Sequence, residues 1–144
     1  MQITQLDALT YVGPQISLSD IAELKRRGIC KIIVTRPEGE ADDQPAISEI
    51  TRAAKAVGIE VLQIPVVSGQ ITDEDVSAFG ACAAQTSGPI FAYCRSGMRA
   101  TSLWAIDKCN SGQCVDTILR DAQTAGFDLS PLLPRLVTKP STTA

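Results

Sequence analysis

Short apolar runs alternate along the chain with stretches in which apolar residues recur every third or fourth position. The first pattern marks buried strands and the second amphipathic helices. Leu9 to Val12 is an apolar run closed by Gly13-Pro14. A helix capped by Ser17 or Ser19 follows, with Leu18, Ile21, Ala22 and Leu24 on one side and a stop at Gly28. Ile29 to Thr35 is rich in β-branched residues and reads as a buried strand. Arg36-Pro37-Glu38-Gly39-Glu40 breaks it and opens an acidic loop. A helix is expected from about Ala46 to Val57, its stripe formed by Ile47, Ile50, Ala54 and Val57, then a strand from Ile59 to Ile64 that Pro65 stops. Thr72 to Asp75 has the form of a helix start, with carboxylates in the first turn and Val76, Phe79 and Ala83 beyond them. Pro89 to Tyr93 predicts another strand, and a helix starts within Gly97 to Thr101 and runs through Trp104 and Ile106. Further helices are expected from about Cys114 to Ala125 and from Leu129 to Leu136.

Strands separated by helices predict an α/β fold, with a mainly parallel sheet of about four to five strands flanked by helices. In such sheets ligands collect beyond the carboxyl ends of the strands. Residues 1–139 are expected to form a single domain, and residues 140–144 a frayed tail.

Composition narrows the chemistry. The 144 residues include no histidine, which removes Ser–His and Cys–His pairs, histidine zinc ligands and histidine proton shuttles. A net charge of −3 argues against general nucleic-acid binding. No apolar run approaches the roughly 20 residues of a membrane span, and the first residues lack the basic start and apolar core of a signal peptide. The five cysteines, at 30, 82, 94, 109 and 114, contain no C-x-x-C pair. An odd count without such a pair fits neither a disulfide framework nor a zinc ribbon, so a reducing cytoplasmic setting is expected. No metal or organic cofactor is implied.

One segment carries chemistry. Tyr93-Cys94-Arg95-Ser96-Gly97-Met98-Arg99 joins a buried strand directly to a helix. A turn of this kind directs several backbone amides into one hollow, to which the helix N-terminus adds its positive end. Arg99 brings a planar fork that grips an oxyanion through two parallel hydrogen bonds, and Arg95 adds charge. A cysteine in such a hollow is favoured as a nucleophilic thiolate. Cys94 and Arg99 are therefore the expected catalytic pair, with Arg95, Ser96, Gly97 and Met98 around the substrate. Arg36, at the end of a neighbouring strand, either reaches the same hollow or pairs with Glu38 or Glu40 on the surface. Cys30 and Cys82 read as packing residues. Cys109 and Cys114 flank a helix–helix turn, from which they could resolve an oxidised Cys94 only if brought near it. Leu103 and Trp104 read as core.

The loop resembles the C-R-x-G-x-R active loop of rhodanese sulfurtransferases. It is also close to the C-x-x-G-x-x-R signature of protein tyrosine and dual-specificity phosphatases, but one residue shorter. Over roughly residues 3–108 the chain resembles the N-terminal domain of beta-lactamase hydrolase-like proteins, a bacterial phosphatase-like family. The resemblance rests on Val12 to Ser17, Ile33 to Glu38, Ile64 to Val66 with Ile71 to Asp75, and Ala92 to Arg99 with Leu103-Trp104. It implies a dual-specificity-phosphatase-like fold, and relatives fused to a persulfide dioxygenase domain imply a sulfurtransferase role.

Two chemistries follow. Four residues, 95 to 98, separate Cys94 from Arg99, a tighter ring that suits a persulfide sulfur on Cys94. Tyr93 stands in place of the histidine that usually precedes a phosphatase nucleophile, and Ala100 in place of the hydroxyl residue after the arginine, with Thr101 one place late. A phosphatase also needs an acid for the leaving oxygen. The loop Pro65 to Gln70 holds no carboxylate, and Asp73, Glu74 and Asp75 read better as helix-start residues. The first expectation is a sulfurtransferase taking sulfane sulfur from thiosulfate or a small persulfide. The alternative is a cysteine-dependent phosphatase acting on a phosphate ester, and the third reading an anion-binding redox sensor without catalysis.

Overall fold

The structure, a computed structural model, describes residues 2–67 and 69–138. Five strands, β1 (Thr4–Asp7), β2 (Thr10–Gly13), β3 (Lys31–Val34), β4 (Glu60–Gln63) and β5 (Ile90–Tyr93), form one sheet in the order β1-β2-β5-β3-β4. β2, β5, β3 and β4 are parallel neighbours, and β1 pairs antiparallel with β2. The helices are α1 (Asp20–Arg26), α2 (Ile47–Ala56), α3 (Asp73–Gln85), α4 (Met98–Asn110), α5 (Val115–Thr124) and α6 (Leu133–Thr138), with a 3-10 turn at Ser130–Leu132. This is the expected mainly parallel α/β layout. The expected tail at 140–144 lies outside the described residues.

Strand alternation separates two cores. Ile33, Ile90 and Ala92 point to the face covered by α3, α4 and α5, where Phe79, Leu103, Trp104 and Ile118 are buried. Ile32, Val34, Phe91 and Tyr93 point to the face covered by α1 and α2, with Leu24, Ile50 and Ala54. All four residues of β5 are buried because it is paired on both edges and covered on both faces.

Helix starts follow local chemistry. In α3 the Thr72 hydroxyl accepts the Asp75 amide at 3.0 Å, while the Asp75 carboxylate accepts the Thr72 amide at 3.1 Å. This reciprocal pair satisfies two donors that a helix start leaves open. The expected cap by Ser17 or Ser19 is not formed: Ser19 is helical and its side chain makes no cap bond. The Asp20 carboxylate instead accepts the Ser17 amide at 2.9 Å. Cys30 also departs from expectation. It precedes β3 at the rim of the sheet and is exposed rather than packed. No helix among the described residues is long and apolar enough to cross a membrane.

Candidate active site

The carboxyl ends of four parallel strands converge on one hollow. After β2 comes Gln15, after β3 Arg36, after β4 Val66, and after β5 the segment Cys94 to Arg99. Backbone bonds tie these ends together. The Thr35 amide and hydroxyl both donate to the Tyr93 carbonyl, at 3.0 and 2.7 Å. The Cys94 amide donates to Gly13 at 3.4 Å, the Gln15 amide to Arg95 at 3.3 Å, and the Val66 amide to Thr35 at 2.9 Å. The cavity above them, about 620 Å³, is lined by Gln15, Arg36, Glu40, Arg95, Ser96 and Arg99 among others.

Cys94 leaves the buried end of β5 and is itself 1% exposed. Gly97 sits directly before α4 at φ 97°, a left-handed conformation that costs glycine little. This turn aims the Gly97 amide at the Cys94 sulfur, 3.0 Å away. The Met98 amide donates to the Ser96 hydroxyl at 3.3 Å. Arg99 stands within reach of the sulfur from the first turn of α4. Of the predicted residues, Arg36, Arg95, Ser96, Met98 and Arg99 line the one cavity, while Cys94 and Gly97 are bonded to each other in the buried part of the same turn. Thr101 does not stand in for the hydroxyl missing after Arg99, because its hydroxyl donates back to the Gly97 carbonyl at 2.8 Å.

Arg99 does not present an open fork. Its NH1 and NH2 donate to Glu40 Oε2 and Oε1 at 2.8 and 2.7 Å, and NH1 also donates to the Val66 carbonyl at 2.8 Å. Arg36 joins the same carboxylate, Nε to Oε1 at 3.0 Å, and its NH1 donates to Gln15 Oε1 at 3.0 Å. Arg36 thus does both things expected of it, except that its side chain is only 5% exposed, so the pair with Glu40 is not a surface one. The Arg99 hydrogen bonds, followed by those of Arg36, overcome partial burial and pull the Glu40 carboxyl down to about 2. The same contact raises Arg99. Burial pushes the Tyr93 phenol up to about 12 despite a hydrogen bond with Gln15, so it stays neutral beside Cys94.

Sequence reasoning missed Glu40 as part of the site. The signals were its place in the acidic loop that opens after Arg36 and its expected surface pairing with Arg36. Two of the three acids weighed for a leaving group are committed elsewhere: Asp75 to the start of α3, and Asp73 to Arg135 at 2.9 Å, while Glu74 lies in the first turn of α3. Cys109 lies near the far end of α4, about 16 Å along the axis from Met98, with its thiol directed to the Leu136 carbonyl. Cys114 precedes α5 and is exposed. Neither is brought to Cys94. Cys82, Leu103 and Trp104 are buried, as expected. Among the described residues no group of three His, Cys, Asp or Glu side chains could hold a metal ion.

Residues 3–111 match the family model described as beta-lactamase hydrolase-like protein, phosphatase-like domain. The chain belongs to this family. The beta-lactamase hydrolase-like protein of Agrobacterium fabrum (strain C58) is 32% identical over 130 residues, which are 90% of this chain but 30% of that protein. The chain therefore spans about 30% of the length of the curated relatives it matches. A solved structure of a candidate phosphatase from Neisseria meningitidis Z2491 is 34% identical, with a TM-score of 0.87 over 96% of this chain and 98% of the other. The core catalytic domain of a PP-IP phosphatase from S. cerevisiae, in complex with citrate, is 15% identical and shares the fold, with a TM-score of 0.68 over 96% of this chain and 83% of that one. The fold of this phosphatase-like domain is dual-specificity and protein-tyrosine-phosphatase-like, as the resemblance implied. The relatives favour the cysteine-dependent phosphatase alternative over the sulfurtransferase first expected.

Proposed function

We propose that this domain is a cysteine-dependent phosphatase acting on small phosphate monoesters. The observation that carries this reading is the pairing of Cys94, whose sulfur takes the Gly97 amide at 3.0 Å, with an Arg99 fork already closed on an oxyanion, the Glu40 carboxylate. A phosphoryl group seated in place of that carboxylate has its oxygens on Arg99 and the amides of residues 95–99, with Arg36 and Arg95 adding positive field. The Cys94 sulfur attacks phosphorus, the P–S bond forms, and the ester oxygen departs with the electrons of the P–O bond. Water then cleaves the P–S bond, releasing inorganic phosphate and regenerating the thiolate.

The described part of the Pro65–Gln70 loop holds no carboxylate, and Glu40 stays ionised on its arginines. The departing oxygen thus finds no ready proton donor, so esters with stable leaving groups, such as aryl phosphates, are turned over fastest. Sulfur transfer is the second reading. It is favoured by the four-residue spacing from Cys94 to Arg99 and by needing no such acid.

The deciding experiment assays wild type and Cys94→Ser with an aryl phosphate and, separately, with thiosulfate plus cyanide. Phosphate release that depends on Cys94, without thiocyanate, is the expected result. Thiocyanate without phosphate release transfers the assignment to sulfur transfer. Activity surviving in Cys94→Ser overturns both.

A further inference from the structure

We propose that Glu40 determines specificity by acting as an internal competitor for the anion seat, yielding it to tetrahedral dianions and keeping it from monoanions. The proposal rests on the reading of the Cys94–Arg99 hollow as an anion seat. It adds that the arginine arm of the seat, the Arg99 fork, is already occupied by the protein's own carboxylate.

Three observations support it. First, the contact has the geometry of a ligand: both Glu40 oxygens engage both terminal nitrogens of Arg99, at 2.7 and 2.8 Å, across 59 positions of sequence. Such side-on forks are the strong form of arginine recognition. Second, the contact is sheltered, with the side chains of Arg99 and Arg36 only 12% and 5% exposed, whereas Glu40 is 30% exposed on the cavity side. Of the three paired side chains, the carboxylate is thus the one most open to the cavity, and a ligand takes the Arg99 fork only by displacing it. Third, Glu40 is delivered by a loop whose two sides are pinned. Glu38 accepts the Ile47 amide at 2.8 Å at the start of α2, and the Gln44 side chain donates to the Pro37 carbonyl at 2.9 Å.

The tether decides who wins. A carboxylate held on a short loop competes at a high effective concentration, of millimolar order or above. A free carboxylate or a phosphodiester offers the same single charge without the tether, and loses. A phosphate monoester or thiosulfate brings two charges and a further oxygen for the loop amides, so it displaces Glu40. Arg36 Nε, 3.0 Å from Oε1, keeps the displaced carboxylate paired.

The test follows the Gly97 amide and Arg99 Nε resonances by ¹⁵N NMR while inorganic phosphate or acetate is titrated at pH 8. Wild type is compared with Glu40→Gln and Glu40→Ala, each first checked for a native dispersed spectrum. Wild type is expected to respond to phosphate and not to acetate. Both variants are expected to bind phosphate at least tenfold more tightly and to respond to acetate. Weaker phosphate binding in the variants, the outcome if Glu40 only steadies Arg99, overturns the proposal, and so does unchanged binding of both anions. No response to phosphate in any of the three proteins overturns the seat and the proposal together. Because the titration involves no turnover, a failure of the phosphatase reading alone leaves its result intact.

Discussion

A Cβ built on Gly97 would stand 3.0 Å from the Phe127 ring and 3.3 Å from the Gly13 carbonyl carbon, on a backbone at φ +97°. Both the conformation and the close approach require glycine, and the same residue supplies the amide that meets the Cys94 sulfur. Gly97→Ala is therefore expected to cost about 1–3 kcal/mol of stability and to cut aryl phosphatase activity at least tenfold. Urea denaturation and steady-state assays on the purified variant check both effects. A stable but inactive variant would place the strain wholly in the site. Cys94 was legible in the sequence because everything that marks it is local: a strand end, a glycine and an arginine within one turn. The Glu40–Arg99 pair was not, since the two lie 59 residues apart and no spacing rule reports a contact made by folding. Cys30 misled for a related reason. A β-branched run signals burial along a strand, but Cys30 comes before the first strand residue, Lys31, and its side chain is exposed although Ile29 before it is buried.

Among the elements, α4 does the most to fix the site, and it is unusual in being buried without interruption from Ala100 to Ile106. It is also tied to the sheet edge. The Trp104 indole donates to Asp7 Oδ2 at 2.7 Å, Lys108 pairs with the same oxygen at 3.4 Å, and the Leu9 amide donates to Oδ1 at 2.9 Å. Burial alone would raise the Asp7 carboxyl, but these hydrogen bonds, Trp104 first, hold it below its ordinary value. Trp104→Phe keeps an aromatic ring in the core while removing that donor. It is expected to destabilise the fold by about 1–3 kcal/mol and to raise the Asp7 carboxyl. The urea midpoint with an unchanged slope, and carboxyl NMR of Asp7, are the measurements. The start of α3 was legible because its capping partners sit three residues apart. β1 was not. Thr4 to Asp7 holds one apolar residue, Leu6, and a register shift between Gln5 and Asp7, so the strand exists by pairing with β2 rather than by its own pattern.

At the scale of the whole molecule, the expected α/β sheet could be read because alternation of strands and helices survives compression into sequence. The strand order could not, because it depends on which edges meet. Charge also acts at this scale. Glu40 falls from an ordinary 4.5 to about 2 in the folded protein, so its pairing adds stability at pH values above 4.5 and loses it as pH falls from there toward 2. Solvent screening limits the gain to about 1 kcal/mol. Arg99→Met removes the larger cause and leaves Arg36. Urea midpoints taken from about pH 6 down to about pH 3 are expected to fall less steeply in that variant than in wild type, and parallel curves would show that the pair adds nothing.

The order β1-β2-β5-β3-β4 also governs how the site comes into being. The strand at its centre is the last of the five to leave a ribosome. Until residue 93 has been made, the chain can hold only two separate two-stranded pieces, β1 with β2 and β3 with β4. Gln15 belongs to one piece, and Arg36 and Glu40 to the other. Non-local pairing of this kind is slow, because the intervening loops must close before any contact rewards them. Cys94 and Arg99 arrive in the turn after β5 and in the first turn of α4, so the strand that completes the sheet also brings the candidate site together. A nascent chain that ends before β5 therefore holds neither Cys94 nor Arg99, and its two sheet pieces have no strand to join them.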